Sequence, residues 1–234
     1  MQKLKENHGT PKVSRALRYA AIRLLATPET AGLAAEIEAE RTRLSGAQDA
    51  YEQIREQRVG LTALIAHQDG IVDGLVADIA RQVAVINGNR TDTEFYKSLF
   101  PVAPSKATSP KASESQNRFV KALIDRIETD ARYETFRTTA AELKAAQTEL
   151  DRLLVEREEL RAPELRAAVD LRTALDSARR AYNKLSPRLQ LLFDNKGLIE
   201  TFFIAHGSSS TAEQQALDES LADSAPSDDL SAVG

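Results

Sequence analysis

The chain has 234 residues, of which 42% are hydrophobic but only 5% aromatic, with no cysteine, no tryptophan and one methionine. The missing cysteines exclude disulfides, thiolate metal sites and cysteine nucleophiles. No apolar run reaches the roughly 18 residues that a membrane-spanning helix needs. The net charge of −4 hides an asymmetry. Residues 1–26 carry Lys3, Lys5, Lys12, Arg15, Arg18 and Arg23 against Glu6 alone, whereas residues 207–234 carry six acids and no Lys or Arg.

In chain order, residues 1–13 read as a flexible basic arm. The start, MQKLKENHGTPK, lacks the apolar stretch of a secretory signal. The stretch after it is Arg-rich and acid-poor, a composition that transit peptides share. A short helix is expected from Ser14 to Ala26, with Leu17, Ala21, Leu24 and Leu25 on one face. Thr27-Pro28-Glu29 then supplies an N-cap, a proline at the first helical position and an acid in the first turn.

From Pro28 to Asn87 the pattern is helical without interruption, about 60 residues and ~90 Å at ~1.5 Å per residue. Leu33, Ile37, Glu40, Leu44, Ala47, Tyr51, Ile54, Arg58, Leu61, Ile65, Gln68, Val72, Leu75, Ile79, Gln82 and Ile86 alternate spacings of four and three. So long a 3.5-residue repeat is the signature of coiled-coil packing. A second stripe, mostly of small residues, accompanies it with the same alternation: Gly60, Ala63, His67, Gly70, Gly74, Ala77, Arg81, Ala84 and Gly88. Each glycine inside a helix costs about 1 kcal/mol relative to alanine. The stripe therefore predicts a second helix approaching closely, with Gly70 and Gly74 as partner contacts.

Residues 88–114 read as an apical connection. Thr91-Asp92-Thr93-Glu94 resembles a capping box that opens a short helix through Phe95, Tyr96, Leu99 and Phe100. Those four residues are candidate partner contacts at the tip, since aromatics are enriched at binding hot spots. The alternative is a plug that closes the tip. After the aperiodic PVAPSKATSPKASES, Ser113 and Gln116 open a helix running to Pro163. Pro163 either kinks that helix or begins a new one. Ala168, Leu171, Leu175, Ala178, Tyr182, Leu185, Leu189 and Leu192 resume the alternation, and Ser186-Pro187 offers a restart. A turn at 194–197 and a short apolar helix at 198–205 follow, with Phe202 and Phe203 packing on the base. Residues 207–234, acidic and rich in Ser and Ala, read as a disordered tail.

The sequence thus predicts an all-α chain: a long antiparallel helical hairpin, coiled-coil-like, extended into an elongated three- or four-helix bundle by the segment after Pro163. Residues 14–206 are read as one elongated helical domain. Its three histidines, His8, His67 and His206, form no His-x-x-x-His or Glu-x-x-His pair. No phosphate loop, nucleophile elbow or calcium loop is present in the sequence. No catalytic residue, cofactor, metal or small-molecule substrate is expected. The expected role is a non-enzymatic, cytoplasmic structural or adaptor protein acting through a protein partner or self-association. The alternative is a membrane-surface or nucleic-acid binder acting through residues 1–26, with Lys12, Arg15, Arg18 and Arg23 as anion contacts.

Overall fold

The computed structural model describes residues 3–109 and 112–204. The expected acidic tail and His206 lie outside the described residues. Those described form an all-α fold of eight α-helices, joined in places by 3₁₀ turns. The helices are α1 (Thr10–Leu25), α2 (Ala31–Ile86), α3 (Glu94–Leu99), α4 (Pro104–Ala107), α5 (Glu114–Thr129), α6 (Arg137–Glu159), α7 (Arg161–Gln190) and α8 (Lys196–Glu200). Where the sequence suggests one domain, the contacts divide into two compact units. Of the described residues, 3–45 and 173–204 make the first, and 46–109 with 112–172 the second.

In the first unit, α1 buries Val13, Ala16, Leu17, Ala20, Ala21 and Leu24. It starts at Thr10 rather than Ser14, because Pro11 sits in its first turn, where a missing N–H has no helical acceptor to lose. The arm before it is not free. Leu4 is buried, and its backbone N–H and C=O are both held by the Asn183 side chain, at 2.8 and 3.0 Å. Arg179 donates to the His8 carbonyl. Thr27 makes no side-chain cap; the buried Thr30 hydroxyl instead donates to the Leu24 carbonyl at 2.6 Å. The start of α2 contributes Leu33, Ala34, Ile37 and Leu44, and α7 contributes Ala174, Ala178, Tyr182, Leu185 and Leu189. Pro187 lies inside α7 without ending it. Asn195 caps α8 through the N–H groups of Gly197 and Leu198. Phe202 and Phe203 are buried as expected, Phe203 edge-on to Tyr182 at 5.4 Å and Phe202 stacked on Phe193. Burial pushes the Tyr182 phenol up to about 12.

The second unit keeps the long antiparallel pair of the expected hairpin, α2 against α6, and adds a helix to it. Its core joins Ile65, Val72, Val76, Ile79, Ala80 and Val83 of α2 to α3, α5, the turn Ala131–Phe136 and α6. Contacts fix the directions. Asp69 and Asp73 meet Gln116 at the start of α5, and α3 reaches Tyr133 through Phe95 and Ser98. So the connection returns to the level of Asp69 before α5 runs upward beside α2. The reversal comes at the 3₁₀ turn, and α6 descends antiparallel to both: Lys144 pairs with Glu128, and Gln68 donates to the Ala146 carbonyl at 3.0 Å. The third helix is supplied inside the chain by α5.

The break falls at Asp130, not first at Pro163. Asp130 is extended, and its carboxylate accepts from the Arg132 N–H at 3.0 Å. That turn drives Tyr133 and Phe136 into the core, where both are buried. Pro163 begins a new helix, seated in the first turn of α7, where an absent donor leaves no bond unmade. The backbone stays right-handed across the junction: Leu160 keeps helical dihedrals, and Glu164 N–H bonds to the Leu160 carbonyl at 2.9 Å.

Among the described residues no helix approaches the glycines of the second stripe. A methyl group added at Gly60, Gly70 or Gly74 would meet no atom within 4 Å. The glycines stand two residues out of phase with the seam at Arg58, Ile65 and Val72, about 200° around the helix. Since α5 and α6 both pack on the other side, the stripe faces outward. Gly70→Ala and Gly74→Ala should therefore each stabilise the protein, by up to about 1 kcal/mol, measurable as a higher urea midpoint. A lower midpoint would mean that another chain packs against them.

Candidate functional site

The proposed tip contacts are mostly core. Leu99 and Phe100 are buried, and Phe95 and Tyr96 half-buried. Phe95 lies 4.8 Å from the Tyr133 ring, Tyr96 lies 5.2 Å from Phe100, and Phe100 lies 6.4 Å from Phe119. Thr93 caps their helix through the Tyr96 N–H. The four side chains plug the tip rather than present it, because an aromatic cluster gains more from this nearby core than from water. Gly70 and Gly74 are exposed and offer an open backbone face.

The anion candidates do reach solvent. Lys12, Arg15, Arg18 and Arg23 are exposed along the outer side of α1, beside Ile22 and Leu25, which are 60% and 71% exposed. Arg23 and Tyr19 both donate to the Thr201 carbonyl, at 3.2 and 3.3 Å, so one edge of this face is fastened to the end of α8.

A buried polar cluster lies where the connection meets α2. Asp69 accepts from the Ala112 N–H and from Gln116 Nε2, both at 2.9 Å, and Gln116 Nε2 also reaches Asp73. Ser113 caps α5 as expected, but the Gln116 side chain is drawn to the aspartates instead of closing a capping box. Asp151 similarly accepts from Asn117 and Gln147, at 2.9 Å each. His67 stays outside the cluster, in solvent. Among the described residues no three His, Asp or Glu side chains are placed to hold a metal ion. Perturbed carboxylates are explained by exposed arginine neighbours. Arg188 holds Glu36 below its usual value, Arg90 does so for Asp92, and Arg132 for Asp130.

The feature that sequence reading missed is on the outside of α6 and α7. Val155, Leu165 and Val169 are 58%, 68% and 57% exposed, and Ala162 between them is exposed too. Their spacing of seven, three and four residues aligns them on one helical face. That face is opposite the one carrying Leu153, Leu160, Ala167 and Leu171, which are buried or half-buried. A helix with one apolar seam inward and another outward offers the outer one for association.

No protein-family model, curated protein or solved structure matches the chain. No helix among the described residues is long and apolar enough to cross a membrane.

Proposed function

We propose that this chain is a non-enzymatic helical assembly protein that associates with other polypeptides, copies of itself included. The observation that carries this reading is the outward stripe of Val155, Ala162, Leu165 and Val169. Isolated exposed apolar residues are ordinary on protein surfaces. Four on one face of a well-ordered helix pair, at coiled-coil spacing, form a surface that a second helix can cover. The buried polar groups support the same reading, since their partners are structural: backbone N–H groups and amides that tie α5 to α2 and α6.

The test is sedimentation of the whole chain over a wide concentration range, beside Leu165→Glu and Val169→Glu. Both positions are exposed, so helicity should stay unchanged while association weakens at least tenfold, equivalent to about 1.4 kcal/mol. Association that is indifferent to both substitutions would overturn the reading, as would a chain that stays monomeric and binds no helical partner.

A further inference from the structure

We propose that a second copy of this chain packs antiparallel along the outer stripe of α6 and α7, about a two-fold axis passing at Ala162. This rests on the assembly reading above and adds the partner, its direction and its register. The stripe is continuous enough to serve, because the backbone stays helical through Leu160 between the two helices.

Charge and apolar complementarity choose the register. With Ala162 opposite its own counterpart, Val155 faces Val169 of the second copy, and Glu158 faces Arg166 of the second copy. The two-fold repeats each pair, as an isologous interface requires. Alanine at the crossing lets the helix axes approach to the short end of the ~8–10 Å range. Leu165 lies beside Glu159 of the second copy, over its aliphatic stem. Arg152 and Arg172 are the like-charged pair, but they sit at the rim, and Arg152 is already bound by Glu149 and Glu156.

Other arrangements fit worse. A parallel pair in register sets Glu158 against Glu158 and Arg166 against Arg166. An antiparallel pair shifted one turn toward the N-terminus sets Glu158 against Glu159. Shifted one turn the other way, it sets Leu165 against Arg166. Within the monomer Glu158 is paired with Arg161 at 3.2 Å, with both side chains largely in water, so exchanging that partner costs little. A contact about four turns long is at the small end for specific interfaces, so the dimer should depend on concentration.

The absence of native cysteine makes the test clean. Single cysteines are placed at Ala162, Val155, Val169 and, as a control away from the stripe, the exposed Ala66. Under mild oxidation Ala162→Cys should form a covalent dimer at least tenfold faster than Ala66→Cys. Val155→Cys and Val169→Cys should each react slowly alone and quickly when mixed. In a second measurement, Glu158→Arg and Arg166→Glu should each weaken association, and the double exchange should restore it. Val155→Cys pairing with itself as fast as Ala162→Cys would overturn the antiparallel arrangement. So would an Ala162→Cys rate no greater than the control. If the chain still associates and Leu165→Glu still weakens it, the assembly reading stands without this geometry.

Discussion

Phe136→Ala is expected to remove about 3–5 kcal/mol of stability, the range for truncating a buried phenylalanine. Single domains are stable by only about 5–15 kcal/mol, so this one change should bring the second unit close to unfolding. Its effect is large because of where the ring sits. The chain reverses between α5 and α6 through a six-residue 3₁₀ turn, and that turn is held by two buried rings, Tyr133 and Phe136. Around them lie Ile127 of α5 and Ala140 and Leu143 of α6, all in the same core cluster. Helices fixed by their own hydrogen bonds collapse poorly into a cavity. Urea unfolding followed by circular dichroism measures the loss. Hydrogen exchange should place it in α5 and α6. Leu25→Ala, at an exposed position, should shift stability by about 0.5 kcal/mol or less. A Phe136→Ala protein within 1 kcal/mol of the parent would mean that the corner is loosely packed.

That corner also shows where sequence reading stops. Long helices were legible because a four–three alternation over 60 residues has few other solutions, and α2 follows it closely from Leu33 to Leu44. The path of the second arm was not. Thr129-Asp130 carries a helix-start signal, yet a polar pair inside a long helical stretch reads equally well as solvent face. Only the burial of Tyr133 and Phe136 decides it. Beyond Ile65 the seam also drifts. The buried positions become Ile65, Asp69, Val72, Val76, Ile79 and Val83: the four–three alternation persists, but its alternate position moves one residue along, from Gln68, Leu75 and Gln82 to Asp69, Val76 and Val83. The phase read from the sequence instead extends the line to Gln82 and Ile86, both exposed.

The candidate site was legible in part. Exposed arginines on α1 follow directly from an amphipathic pattern. The glycine stripe was visible but its meaning was not: small residues fit a close helix and an open face equally well. Val155, Leu165 and Val169 were hidden for a different reason. They interleave with the inward series Leu153, Leu160, Ala167 and Leu171, so hydropathy alone shows one broad apolar stretch. Separating two faces needs the helix phase, which only the packed structure supplies.

Asp69→Ala is the second large effect, expected at about 2–4 kcal/mol from leaving two donors without partners at about 1–3 kcal/mol each. The carboxylate is buried and accepts from the Ala112 N–H and the Gln116 amide, both at 2.9 Å. Ala112 has a φ of +48°, in the left-handed region that a side chain resists. The hydrogen bond to Asp69 holds it there, and Ala112 leads directly into the Ser113 cap of α5. Removing the carboxylate therefore frees a strained backbone position as well as an amide, and the N-terminal turn of α5 should lose exchange protection first. Asp69→Asn should cost far less, because an amide oxygen can still accept from both donors. Gln116→Ala deletes one donor and relieves part of the demand on Asp69. A double-mutant cycle between the two should therefore give a coupling of about 1 kcal/mol. Additive effects would show that the connection is held by Ala112 alone. An Asp69→Asn protein as unstable as Asp69→Ala would show that the negative charge, rather than the acceptor geometry, fastens α5 against α2.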